Sequence, residues 1–195
     1  MELQLDLTKR YTFADYLTWA EDFACELIDG FVHIMSPKPR LVHQEIGGNL
    51  YFIFKKNIKK RRGQCRVYYE IDVRFPNDSI DDDKIFTVVS PDIVVICDKN
   101  KLDKNGNGCI GAPDLIVEIQ SFGTTKYDLT EKYNLYESNG VREYWVVYPN
   151  DKGIDVFVLQ DNGKYKGTKY ESGKIPVSIF ENYYIEFDDI FDLYD

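Results

Sequence analysis

The sequence predicts a mixed α/β fold whose core runs helix, strand, strand, strand, helix, strand, preceded by a short helix and a hairpin and followed by antiparallel strands. Apolar Leu41, Ile46, Leu50, Phe54 and Ile58 recur at helical spacing between about Pro39 and Arg62. From Cys65 to Phe75, residues Val67, Tyr69, Ile71, Val73 and Phe75 alternate with Arg66, Tyr68, Glu70, Asp72 and Arg74, the period of a half-buried strand. Two short apolar runs, each holding one acid, then precede a second helical stretch and a further strand, Tyr144 to Tyr148.

The elements follow in order. Thr12 to Ala20 reads as a short helix, with Thr12 and Asp15 in capping-box positions. Cys25 to Ile28 and Phe31 to Met35 flank Asp29-Gly30, a two-residue hairpin signal. In the first long helix, Gly47-Gly48 is either a weak point or a point of close packing. An acidic turn from Asn77 to Lys84 leads to strand material at Ile85 to Val89 and Ile93 to Cys97. A polar, glycine-rich loop from Asp98 to Ala112 precedes the strand that carries Glu118. Tyr127 to Ser138 is helical, with Leu129, Tyr133 and Tyr136 on one side and Asn139-Gly140 as its stop. Ile154 to Leu159, Tyr165 to Tyr170 and Val177 to Phe180 read as strands separated by Asn/Asp/Gly turns. No repeat or linker divides the chain, so one domain over 1–195 is expected, with its core at about 39–149.

Composition narrows the class. Of 195 residues, 44% are hydrophobic and 15% aromatic, enough for a substantial core. Cys25, Cys65, Cys97 and Cys109 lack CxxC spacing, and only His33 and His43 could assist them, so neither a zinc cage nor a disulfide framework is signalled. Reduced thiols and a cytoplasmic location follow as expectations. The acidic N-terminal residues do not resemble a signal peptide, and no apolar run reaches membrane-spanning length. A net charge of -9 opposes a surface coated for nucleic acid. The charge is uneven, however. Lys55, Lys56, Lys59, Lys60, Arg61, Arg62 and Arg66 crowd together, while Glu181 to Asp195 holds six acids and no base. The stripe reads either as a polyanion contact or as the solvated C-terminal end of a helix.

The chemistry lies in the acids. Asp92 opens the run Ile93 to Ile96, and Glu118 interrupts Leu115 to Ile119. A carboxylate in apolar surroundings is costly unless a partner or metal compensates it. Residues 114, 116, 118 and 120 share one strand face, so Glu118 and Gln120 point together. Lys132 follows on the second helix, close to the Glu118 strand by connection length. Oxygen ligands of this kind suit Mg²⁺ or Mn²⁺ beside a substrate phosphate, which points to phosphodiester chemistry. Asp103 to Asp114 imitates a calcium-binding EF-hand loop, but strand-like runs flank it where helices are needed, and Pro113 precedes its final acid.

The order of these pieces resembles the PD-(D/E)XK nuclease superfamily and, more narrowly, the Uma family of restriction endonucleases. The resemblance rests on Glu26-Leu27-Ile28-Asp29-Gly30 with Met35-Ser36-Pro37, His43 in the first long helix, and Pro91-Asp92. It continues through Pro113 to Glu118 with Ser121, Tyr127-Asp128-Leu129 with Lys132 and Tyr136, and Gly140 to Trp145. It implies a restriction-endonuclease-like fold and metal-dependent hydrolysis of nucleic acid, DNA in the first instance. Asp92 and Glu118 would hold Mg²⁺ or Mn²⁺. Gln120 stands where the superfamily motif has lysine, and Lys132 would supply the missing cation; Lys126 is a less well-placed competitor. Glu26 would be a further ligand or a base, and His43 would contact phosphate or relay a proton. If no cation reaches the acids, the alternative is an inactive nuclease fold serving as a binding module. Double-strand cutting is served by paired sites, so a homodimer is compatible; no membrane partner is expected.

Overall fold

A computed structural model describes residues 5–19, 24–35, 40–121 and 126–193. Ala20, the Ser36-Pro37 pair, residues 122–125 and the side chains of Lys126, Tyr127 and Asp128 lie outside the described residues.

The fold is mixed α/β. Helix α1 (Phe13–Tyr16) carries the full capping box, Thr12 and Asp15 each satisfying the other's backbone. Strands β1 (Cys25–Ile28) and β2 (Phe31–Ile34) form a hairpin about Asp29 and Gly30, with φ of 52° and 86°. The long helix α2 (Leu41–Arg61) follows. Then come β3 (Arg66–Tyr69), β4 (Val73–Arg74), β5 (Val88–Val89), β6 (Ile93–Ile96), β7 (Cys109–Ile110) and β8 (Leu115–Ile119). Helix α3 (Lys126–Ser138) crosses to β9 (Glu143–Tyr148), which is parallel to β8. The chain ends with β10 (Gly153–Leu159), β11 (Tyr165–Tyr170), β12 (Lys174–Pro176), β13 (Tyr184–Glu186) and α4 (Phe187–Ile190).

Among the described residues the strands make a sheet β2-β1-β5-β4-β7, a sheet β11-β10-β9-β8-β6-β3 and a β12-β13 ribbon. The alternation along β8 assigns its two faces. Leu115, Val117 and Ile119 pack with Ile46, Leu50 and Phe54 of α2 and with Trp145. Ile116 packs on the opposite side with Tyr136 of α3 and Tyr144. The two long helices therefore cover opposite faces of the larger sheet, and Glu118 shares the Tyr136 side. At the glycine pair of α2, a Cβ on Gly47 would lie 2.7 Å from the Tyr69 hydroxyl, whereas Gly48 has open space. Gly47 is the close-packing point.

Three expectations need correction. Cys65 to Phe75 is not one strand, because Glu70 adopts φ 48° and the chain passes from β3 in the larger sheet to β4 in the smaller. Its partner does the same between β5 and β6, at Ser90-Pro91-Asp92, and the Glu70 N–H donates to the Asp92 carbonyl at 3.1 Å. Val177 to Phe180 is a turn closed by Phe180 N–H to Val177 O, the strand lying earlier at β12. Cys65 and Cys97 form a disulfide, since they sit just beyond the Arg66–Ile96 pair of the β3-β6 register. Cys25 and Cys109 are free and buried.

The calcium-loop imitation is spent on structure. Asp103 pairs with Arg74 at 2.7 Å, and Asp114 receives the Cys97 N–H at 2.7 Å and Arg142 at 2.9 Å. Within this loop Gly108 has φ 91°, and a Cβ there would fall inside the envelope of the Asp72 carbonyl. Gly108→Ala combines an unfavourable backbone region with overpacking, together about 2 to 4 kcal/mol. A Tm lower by roughly 5 to 15 °C is expected in a thermal melt. An unchanged Tm would show that β7 is not pinned against Asp72.

Candidate active site

The site lies where the β3-β4 and β5-β6 ribbon changes sheets. A strand leaving a sheet exposes backbone groups that need partners, and here acids supply them. Asp92, on the crossing residue after Pro91, accepts the Ile119 N–H through Oδ2 at 2.6 Å. That bond fixes Asp92 beside the residue that follows Glu118. Its Oδ1 lies 3.3 Å from His43 Nε2, and both side chains are largely buried. Burial lowers the His43 pKa, but the hydrogen bond and charge of Asp92 outweigh it, so the net shift is upward.

Glu118 projects from β8 toward α3. Its Oε1 accepts from Lys132 Nζ at 2.9 Å and from the Tyr136 hydroxyl at 2.6 Å. Lys132 and Tyr136 are one helical turn apart and so reach the same oxygen from one face. Lys132 Nζ also lies 2.9 Å from Glu26 Oε1, which takes the Ser90 N–H at 2.9 Å. The lysine thus bridges acids from two different sheets. Burial opposes its charge, yet Glu118 and Glu26 raise its pKa well above the ordinary value and keep it cationic. Burial pushes the Glu118 carboxyl up to about 7; Lys132 lowers it and Glu26 and Asp92 add to the rise.

Five of the six expected site residues are therefore joined through two clusters, Asp92 with His43 and Glu118 with Lys132 and Glu26, linked by the Asp92–Ile119 bond. Gln120 stands apart: its N–H donates to Val147 O at 2.8 Å, and its side chain has no hydrogen-bond partner among the described residues. His43 is turned to Asp92 in the protein interior rather than outward. Sequence reasoning missed Tyr136 as a partner of Glu118, although its four-residue spacing from Lys132 was visible. It also missed Asp72, whose Oδ1 lies within hydrogen-bond reach of Tyr16 and Ser90 hydroxyls at 3.3 and 3.4 Å. No spacing along the chain announces that contact.

The donor set fits a hard divalent cation in part. Glu118 Oε1 is occupied by two donors, whereas Oε2 has no hydrogen-bond partner among the described residues. Oxygen ligands of this type suit Mg²⁺ or Mn²⁺, which take one or two carboxylates and complete their shell from water and phosphate. Among the described residues no group of three or more His, Cys, Asp or Glu is arranged as a metal cage, and no helix is long and apolar enough to cross a membrane.

Comparison with known proteins identifies the family and the fold. The profile of the Uma2 family, described as "Putative restriction endonuclease", matches residues 13–183. A protein of Synechocystis, "Uncharacterized protein slr1290", is 25% identical over 162 residues, covering 81% of this chain and 79% of its own. A crystal structure from Anabaena variabilis, titled a "putative nuclease belonging to DUF820", superposes with TM-score 0.72 at 21% identity, over 93% of this chain and 97% of that one. That last likeness establishes the fold.

Proposed function

This chain belongs to the Uma2 family, described as "Putative restriction endonuclease", and from that membership we propose that it is a divalent-metal-dependent endonuclease hydrolysing phosphodiester bonds in DNA. The observation that supports the reading is a buried lysine held between two acids, one of which, Glu118, keeps an oxygen without a hydrogen-bond partner among the described residues and feels the charge of a third acid, Asp92. Asp92 and Glu118 would hold Mg²⁺ or Mn²⁺. The cation would acidify a water and offset charge developing on the scissile phosphate.

The side chains have separable tasks. His43 orients Asp92, and the Ile119 N–H fixes its second oxygen. Tyr136 and Lys132 hold Glu118 in one rotamer through Oε1. Lys132 provides the positive charge that Gln120 lacks, carried to the same strand from α3. Glu26 keeps that ammonium in place, with the Ser90 N–H satisfying the same Glu26 oxygen.

The competing reading is a nuclease fold that binds without cutting. It draws on the ion pairs that already occupy Lys132 and on the absence of a three-ligand group among the described residues. Calorimetric Mn²⁺ titration together with nicking of supercoiled DNA decides between them. Asp92→Asn is expected to weaken Mn²⁺ binding at least tenfold and nicking at least a hundredfold, with the wild-type fold retained by circular dichroism. These magnitudes are of the order seen when a metal ligand or its orienting partner is lost. Wild-type protein that binds Mn²⁺ and DNA but never nicks would favour the binding module.

A further inference from the structure

The exposed crest of α2 is a surface whose composition the fold does not explain. Lys55, Lys56, Lys59 and Lys60 are all exposed and, like Arg62, make no ion pair among the described residues of a chain with net charge -9. Lys55 and Lys59, and Lys56 and Lys60, are like charges four residues apart on a helix, each pair costing about 0.2 to 0.5 kcal/mol. Attraction to the negative helix C-terminus offsets this only in the last turn, which holds Lys59, Lys60 and Arg61. Lys55 and Lys56 lie beyond its reach. Arg61 is a separate case: its guanidinium donates to Glu181 O at 2.6 Å and packs over Phe180 and Tyr183, so it is structural.

One turn before Lys56, at the amino-terminal end of the lysines, Phe52 is 64% exposed, with Lys56 Nζ 5.9 Å from its ring centroid, and Lys55 lies 5.6 Å from the Tyr51 ring. Exposed Gly48, one turn earlier, adds no bulk. On the flank, Phe52, Lys56 and Lys60 border a groove of about 760 Å³ whose other wall carries Asp189 and Asp192. Those acids repel a polyanion from the groove itself and leave the outward crest as its seat. Phe52 lies nine residues from His43, so at 3.6 residues per turn the two sit on opposite sides of α2.

We propose that the α2 crest is a second nucleic-acid contact, separate from the cleft, in which Lys55, Lys56, Lys59 and Lys60 bind the phosphate backbone of a duplex without reading its sequence. Such a contact holds the protein on nucleic acid outside the cut site and lets it move along the duplex. The proposal extends the nuclease reading, but its test is independent of cleavage.

The experiment measures binding of the full chain to a mixed-sequence duplex in EDTA, as a function of salt. Neutralising all four lysines to Ser is expected to lower the magnitude of the log-affinity against log-salt slope by about 3 to 4, near 0.9 for each phosphate no longer neutralised. The pairs Lys55→Ser with Lys59→Ser and Lys56→Ser with Lys60→Ser should each lower it by about half as much, and they serve if the quadruple variant folds poorly. Lys164→Ser, an exposed lysine paired with Glu137 of α3 on the other side of the larger sheet, should keep the wild-type slope; because metal is withheld, binding at the crest stands even if cleavage fails. An unchanged slope in the paired variants overturns the proposal, as does a wild-type protein that does not bind duplex at low salt. A loss of binding to phosphatidylserine vesicles without loss of duplex binding would also overturn it, assigning the crest to a membrane surface.

Discussion

Lys132→Met is expected to lower turnover at least a hundredfold and to lower Tm as well. The side chain is 16% exposed, and its ammonium lies 2.9 Å from both Glu26 and Glu118. Removing it leaves two buried acids facing each other without a cation. Breaking a buried pair in this way costs about 3 to 5 kcal/mol, or roughly 6 to 20 °C in a chain of this size. From the sequence alone this variant is expected to fold normally while losing turnover; the enclosure of the lysine by two acids adds the loss of stability. Turnover must therefore be measured well below the variant's Tm and compared per folded molecule. Normal turnover with a lowered Tm would make Lys132 a purely structural counter-charge. Adding Gln120→Lys should recover part of both losses, because residues 118 and 120 share a strand face.

Glu118→Gln is expected to abolish nicking and to change how stability depends on pH. Burial, set against Lys132, raises the Glu118 pKa from 4.5 to about 7 in the folded protein. Between those values the folded chain holds a proton that the unfolded chain has released. Stability of the metal-free protein therefore falls as pH rises through that window, by up to about 1.4 kcal/mol per pH unit. His43, raised above its ordinary 6.5 by Asp92 against the effect of burial, acts in the same direction. Its contribution is complete below 6.5 and is lost as pH passes its folded value. Denaturation midpoints taken from about pH 5 to about pH 8 should fall in the wild type. In Glu118→Gln that fall should become shallower by the Glu118 contribution, leaving the parts due to His43 and to Asp72 and Glu143, whose carboxyls burial also raises. A wild-type slope in the variant would show that Glu118 is ionised throughout.

The helices, the Asp29-Gly30 hairpin and the Thr12/Asp15 cap were legible because each has a local physical cause within a few residues. Asp92 and Glu118 were visible as acids in apolar runs, and Lys132 as a cation one short connection away. What pairs with them was not. The His43–Asp92 contact and the Glu26–Lys132 bridge depend on how α2 and β1 dock, which no local pattern encodes. The break at Glu70 is equally silent, since a glutamate with positive φ, unlike the aspartate of the Asp29-Gly30 turn, carries no compositional mark. It also explains Arg74, assigned by alternation to the polar face of one long strand but only 2% exposed. After the break it lies in the smaller sheet over the Phe13 ring, between Asp82 and Asp103. The Cys65–Cys97 bridge depends likewise on a register between distant segments.

The Lys132 bridge joins segments at two very different separations along the chain. Its bond to Glu118 spans 14 residues and can form within the β8-α3-β9 unit, whereas its bond to Glu26 spans 106. Closing the longer loop costs more chain entropy, and contacts between remote segments slow the search for the native state. An intermediate with β8, α3 and β9 assembled would hold the lysine against one acid only, its second acid still in water on an undocked hairpin. The proposed centre would then be completed last, when the amino-terminal hairpin seats, and a partly folded chain would lack it.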